Sequence, residues 1–311
     1  IDELTKKHGV LSEFEGLSIK DGIQALWKKA YHITNYSIVD EYLVGINGFN
    51  EKVKLEIDMV RPVIYNKFFY CFKKLIPHAY SLFPYRKDGK TPIKISEIKL
   101  EFPEAYKYLL SIENRVKNSV QYYDDCELWH RFTREHNHEA FLEDKIILPM
   151  TAKDSIATCS LNTGLYMDNA NVWFIKIKNC ETILLKAVCS VINSTIFSVL
   201  AKAKANPQSG GYYKLNKQFL TPVPFPSAQL LKQSNTIEKL SLLSDEIETL
   251  QENYLKSTPA NKEVVKGVLL EKWGELDAIC YTLYGLEKDQ ITLVANEGRT
   301  VSRIELLNGA E

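Results

Sequence analysis

Four prolines, Pro207, Pro222, Pro224 and Pro226, fall in the stretch NPQSGGYYKLNKQFLTPVPFPS between residues 206 and 227, the last three at alternate positions. Proline donates no backbone hydrogen bond and fixes φ near −65°, so neither a continuous helix nor a central strand can run through this stretch. The chain must change structural type there. Before it, ETILLKAVCSVINSTIFSVLAKA spaces Ile183, Leu184, Val188, Val191, Ile192, Ile196 and Leu200 along one side of a helix. After it, Leu230, Ile237, Leu240, Leu243, Ile247, Leu250 and Tyr254 recur close to heptad spacing and predict a long helix able to pair with another. Pro259 breaks that helix, and a second runs to Gly285, which suits a helix C-terminus.

Strand signals dominate upstream. LSIKD, bracketed by Gly16 and Gly22, reads as a strand and turn, and KKAYHITNYSIVDEYLVGI is rich in the β-branched and aromatic residues that favour strands. Asn47-Gly48 marks a turn. MVRPVIYNK and the aromatic run to FPYR read as strands and loops, because Pro77 and Pro84 interrupt any helix. FPEAYKYLLSIENRVKNSV is different: Pro103 suits a first helical position, and Ala105, Tyr108, Leu109, Ile112 and Val116 share one face. DKIILPM and VWFIKIK read as strands. The expectation is an α+β protein: a lead-in segment over 1–27, a mixed α/β lobe over 28–227 and a smaller C-terminal helical lobe over 228–311.

Composition narrows the class. The 311 residues are 45% hydrophobic and 25% charged, which suits a globular chain and argues against disorder. No apolar run reaches the length of a membrane span, and the first residues lack a signal peptide's apolar core, so a cytoplasmic location is expected. The chain opens on Ile1, from which a longer parent polypeptide is expected. Cys71, Cys126, Cys159, Cys180, Cys189 and Cys280 form no CxxC pair and are expected as buried free thiols.

Net charge is zero, but its distribution is uneven. Arg61, Lys67, Lys73, Lys74, Arg86, Lys87, Lys90, Lys94 and Lys99 face only Asp88 and Glu97 in the same interval, whereas acids prevail beyond Ile237. Screening at physiological salt acts over about 10 Å, so a basic face need not be cancelled by an acidic region farther away.

Catalytic signatures are sparse. The sequence lacks a glycine-rich nucleotide loop, a GKS or GKT phosphate loop and the asparagine-proline-proline-aromatic tetrapeptide of amino-methyltransferases; INGFN at 46–50 has neither proline. His130, His136, His138 and Glu139 cluster in LWHRFTREHNHEAF, where incidental surface histidines are the simpler reading than a metal site. Asp88, Glu97 and Lys99 match the residue types of a Mg²⁺-dependent nuclease, against the plainer reading of a turn followed by a strand in IKISEIKLEF.

The order of LSIKDGIQALWKKAYHI, VRPVIYNK, FPYR, FPEAYKYLLSIENRV, LWHRF with FLEDKIILPM, NVWFIKI, AVCSVINSTIFSVL and FLTPVPFP resembles the TaqI-like specificity domain of type II restriction-modification adenine-N6 DNA methyltransferases, over residues 17 to 227. ELDAICYTLYGLEKDQITLV at 275–294 is similar to sequence that follows such domains, and SGGYYKLNKQFLTPVPFP before a long helix also resembles type I specificity subunits. The resemblance implies a non-catalytic target-recognition portion. Its partners would be double-stranded DNA and a methyltransferase core in the same polypeptide, with S-adenosylmethionine bound by that core and no cofactor in this chain.

Such a domain reads bases and clamps phosphates beside a flipped adenine. Candidate DNA-binding residues lie on the polar loops: Arg86, Lys87 and Lys90; Arg131 and Arg134; Lys145 and Lys153; and Lys202, Lys204, Tyr212, Tyr213, Lys214 and Lys217, a run of cations with no intervening acid. Trp129, Trp173 and Trp273 are expected in the core. The alternative to DNA recognition is a protein-interaction module in which the leucine-rich C-terminal helices dock a partner, with Leu276, Ile279, Leu283, Leu286 and Ile291 seating them.

Overall fold

A computed structural model of the chain describes residues 1–66, 71–135, 137–138, 142–161, 164–168 and 171–297. In chain order it forms α1 (Asp2–His8), β1 (Leu17–Asp21), α2 (Lys28–Tyr31), β2 (His32–Val39), β3 (Tyr42–Ile46), β4 (Lys52–Glu56), β5 (Val60–Ile64) and β6 (Ala79–Leu82). There follow α3 (Ile95–Glu101), α4 (Pro103–Ser119), β7 (Lys145–Pro149), β8 (Thr151–Ala152), β9 (Thr158–Ser160), β10 (Tyr166–Met167) and β11 (Val172–Ile177). The remainder is α5 (Thr182–Asn193), α6 (Thr195–Lys204), β12 (Asn206–Pro207), β13 (Tyr213–Lys214), α7 (Lys217–Leu220), α8 (Ala228–Leu231), α9 (Thr236–Lys256), α10 (Pro259–Tyr284) and α11 (Lys288–Glu297). The fold is α+β.

Among the described residues the strands form three sheets: β1-β11-β7-β9, β10-β5-β6-β2-β3-β4 and the small β12-β13-β8. Every pairing among them is antiparallel except β10 with β5. The same residues form two hydrophobic cores. One joins the six-stranded sheet to α4, whose Ala105, Tyr108, Leu109, Ile112 and Val116 are all buried, together with Trp129 and Phe132. The other joins the four-stranded sheet to α5, α6, α9 and α10.

The second of these cores changes the expected organisation. Residues before and after 227 share it: Val188, Val191 and Ile192 of α5 pack in the same cluster as Leu240 and Ile247 of α9 and Leu276 and Leu283 of α10. Ser190 Oγ donates to the Leu240 carbonyl at 3.0 Å across the α5–α9 contact. The composition shift at 227 therefore marks a change to helix within one packed unit, and much of the apolar spacing expected to seat a partner is used internally.

Four local expectations differ from the structure. The long helix expected from Leu230 begins only at Thr236, because Ser234 and Asn235 take left-handed φ of 53° and 56° and separate it from the short helix Ala228–Leu231. IKISEIKLEF was read as a strand, yet Ile95–Glu101 is helical; the carboxylate of Glu127 accepts from Ser96 N at 3.1 Å and Ser96 Oγ at 2.6 Å, capping the first turn from a distant loop. The helix expected across ETILLKAVCSVINSTIFSVLAKA is broken at Ser194, with α5 and α6 bent by 66°. Ser194 Oγ caps α6 through Phe197 N, and the buried Asp277 carboxylate of α10 accepts from Thr195 N at 2.8 Å and Thr195 Oγ at 2.7 Å. Not all cysteines are buried: Cys71, Cys189 and Cys280 are, but Cys159 and Cys180 are half-buried and Cys126 is exposed. Among the described residues no single helix is long and apolar enough to cross a membrane.

Candidate nucleic-acid interface

The stretch at 206–214 is a β-hairpin. Asn206 pairs with Lys214 and Pro207 with Tyr213, while Tyr213 and Lys214 pair on their other side with Ala152 and Thr151. Pro207 is tolerated because β12 is the sheet's edge, where its missing N–H breaks no ladder. The tip is Ser209–Gly211, closed by Gln208 N donating to the Tyr212 carbonyl at 2.7 Å. Gly210 and Gly211 take φ of 72° and 76°, a left-handed conformation that side chains resist, so glycine makes this tip possible. The segment from Asn206 to Tyr212 is exposed throughout.

Tertiary pairing thus gathers cations from separate parts of the sequence. Lys153 follows β8 directly, and its ammonium lies 5.5 Å from the centroid of the Tyr212 ring. Lys204 ends α6 immediately before the hairpin, Lys214 is on β13 and Lys217 opens α7 just beyond. Lys153, Lys204 and Lys214 are half-exposed and Lys217 is exposed. Among the described residues, none of these four lysines enters an ion pair. Tyr212 is 37% exposed, whereas Tyr213 is half-buried and packs on the core beneath. Sequence reasoning missed the exposed amides of Asn206 and Gln208, although Asn and Gln are the side chains suited to adenine and both lie between Lys204 and the glycine tip.

Two expected DNA contacts do not survive. Lys202 is in an ion pair with fully buried Asp154, Nζ to Oδ1 2.8 Å, with its own side chain only 11% exposed. Asp154 also accepts from Ser198 Oγ at 3.2 Å, so this lysine neutralises a buried acid and fastens α6 to the loop after β8. Lys145 is wholly buried in β7, between β11 and β9, with Nζ 3.4 Å from the Leu165 carbonyl and 5.8 Å from the Phe174 ring centroid. Burial pushes its amine down to about 7, and no phosphate can reach it. The segment that follows Lys153 is likewise buried, from Asp154 to Thr158.

The remaining candidates belong to the other core. Arg86 divides its guanidinium between Glu101, at 2.6 and 2.9 Å, and Glu97, at 2.9 Å. Its turn is held by Asp88, which accepts from Lys90 N, Thr91 N and Thr91 Oγ, leaving Lys87 and Lys90 exposed. Lys87 lines an open cleft of about 680 Å³ with Arg61, Ile38, Pro62, Tyr80 and Leu142. Arg131 lies 3.5 Å from the Tyr123 ring centroid and Arg134 is exposed.

The carboxylates of the nuclease reading are therefore engaged in a turn and an ion pair. Among the described residues no group of three His, Cys, Asp or Glu side chains is arranged to hold a metal. His136 and Glu139 lie outside the described residues, as does Lys67 of the basic run. His130 and His138 are buried rather than on a surface loop: His130 Nε2 is 2.9 Å from the Ile93 carbonyl, and His138 packs against the rings of Phe83, Tyr85 and Phe132. Trp129 and Trp273 are buried and Trp173 half-buried.

No protein-family model matches the sequence, and no curated protein matches it.

Proposed function

We propose that this chain recognises duplex DNA, as the non-catalytic specificity portion of an adenine-N6 DNA methyltransferase of a restriction-modification system. The observation that carries the reading is the hairpin at 206–214: an exposed, glycine-tipped projection with Tyr212 beside Lys153 and with Lys204, Lys214 and Lys217 around its base, all four lysines outside any ion pair among the described residues. Lysines there suit phosphates, while Asn206, Gln208 and Tyr212 offer amide and aromatic surface to bases. The resemblance in motif order supplies the methyltransferase context, with S-adenosylmethionine and catalysis assigned to a core elsewhere in the parent polypeptide.

Binding of a fluorescent duplex, followed by anisotropy at increasing salt, tests the reading. Affinity is expected to fall linearly on logarithmic axes, with a slope of about −0.9 per phosphate contacted. Binding indifferent to salt, or none at low salt, would reject it.

A further inference from the structure

Four of the six cysteines gather where β9, α5 and the segment following β5 meet, apart from the proposed interface. Asn193 of α5 binds both backbone groups of Ala157, donating to its carbonyl and accepting from its N–H, each at 2.8 Å. Cys189 sits one turn earlier on the same helix, its sulfur 3.7 Å from Asn193 Nδ2, and Cys159 lies two residues beyond Ala157 in β9. Cys189 and Cys159 are therefore neighbours across the α5–β9 contact, with Cys71 close to Cys189 and Cys180 close to Cys159. Phe72 N donates to the Ala157 carbonyl at 3.3 Å, which holds Cys71 in the group.

We propose that Cys159 and Cys189 are a redox-reactive pair, converted by a hydroperoxide into a disulfide that ties β9 to α5. Cys159 is half-exposed and meets the oxidant first, whereas Cys189 is buried and resolves the product. The Cys159 thiolate attacks the peroxide oxygen, the O–O bond breaks, and the departing alkoxide takes up the thiol proton as alcohol. Cys159 is then a sulfenic acid. The Cys189 sulfur attacks the Cys159 sulfur, the S–O bond breaks, and hydroxide leaves with the Cys189 proton as water. The two thiols lose two electrons and two protons overall, and the peroxide gains the electrons. Burial raises the Cys189 thiol well above its ordinary range, which makes resolution the slower step. Cys180 competes less well, because its thiol is turned to the Glu181 carbonyl at 3.2 Å.

The test uses the full chain carrying Cys126→Ser, which removes the exposed thiol and with it intermolecular cross-links. After exposure to tert-butyl hydroperoxide and alkylation of free thiols, peptide mapping by mass spectrometry is expected to find Cys159 joined to Cys189, with the thermal midpoint raised and both changes reversed by dithiothreitol. Cys159→Ser, at a half-exposed position, should keep the native circular dichroism spectrum and abolish the bridge. The proposal is overturned if both thiols stay reduced in folded protein, if Cys159 stops at sulfinic acid, or if it pairs with Cys180 or Cys71.

Discussion

Whether a charged side chain is available to a ligand depends on what burial and neighbours leave of its charge. Lys145 and Lys202 look in sequence like the lysines that ring the hairpin, but the partners that consume them are remote: Asp154 lies 48 positions from Lys202, and Lys145 is enclosed because its strand is interior to a sheet. Neither relation is encoded by local pattern. The same holds for the histidines. His32 and His130 are buried, and desolvation lowers each to about 4. In the unfolded chain they titrate near 6.5, so the stability linked to each is fully present above that pH and is lost as pH falls towards 4, on the order of 3 kcal/mol each. Urea midpoints measured between pH 7 and 4.5 should therefore drop steeply, and His32→Gln with His130→Gln should flatten that drop; equal steepness in the double variant would contradict the assignment.

Elements whose determinants are local were legible, and those capped or broken from a distance were not. In α4, Pro103 at the start and the spacing from Ala105 to Val116 gave both the boundary and the buried face. In α10, Gly285, left-handed at φ 63°, gave the end, whereas Pro259, expected only to break the preceding helix, is itself the first residue of this one. By contrast α3 owes its first turn to Glu127, and the α5–α6 break is fixed by Ser194 together with Asp277 from α10. Asp277→Ala removes two charge-assisted hydrogen bonds from the start of α6 and is expected to cost about 3 kcal/mol. Chemical denaturation should show a lower midpoint with an unchanged slope; stability equal to that of the parent would mean that the carboxylate does not hold this helix end. The hairpin was legible only in part: its prolines, glycines and tyrosines announced an unusual loop, but its pairing with β8, which brings in Lys153, depends on residues some sixty positions earlier.

At the scale of the molecule, the C-terminal helices complete the core on which the candidate interface stands. α9 packs along α5, α10 packs against α9 and α6, and α5 with α6 leads directly into the hairpin. A chain ending at Ser227 would expose Val188, Val191, Ile192 and their neighbours to water, at about 25 cal/mol per Å² of apolar surface. It should aggregate or lose cooperative unfolding; a soluble fragment with a sharp thermal transition would show the helices to be a separable lobe. Whether the hairpin and its lysines face DNA is decided by the salt dependence of duplex binding in the variant Lys153→Ala, Lys204→Ala, Lys214→Ala. Binding should weaken, and the logarithmic salt slope should become shallower by about 0.9 for each lysine that touches a phosphate. Affinity and slope unchanged from the parent, with folding intact, would contradict that placement.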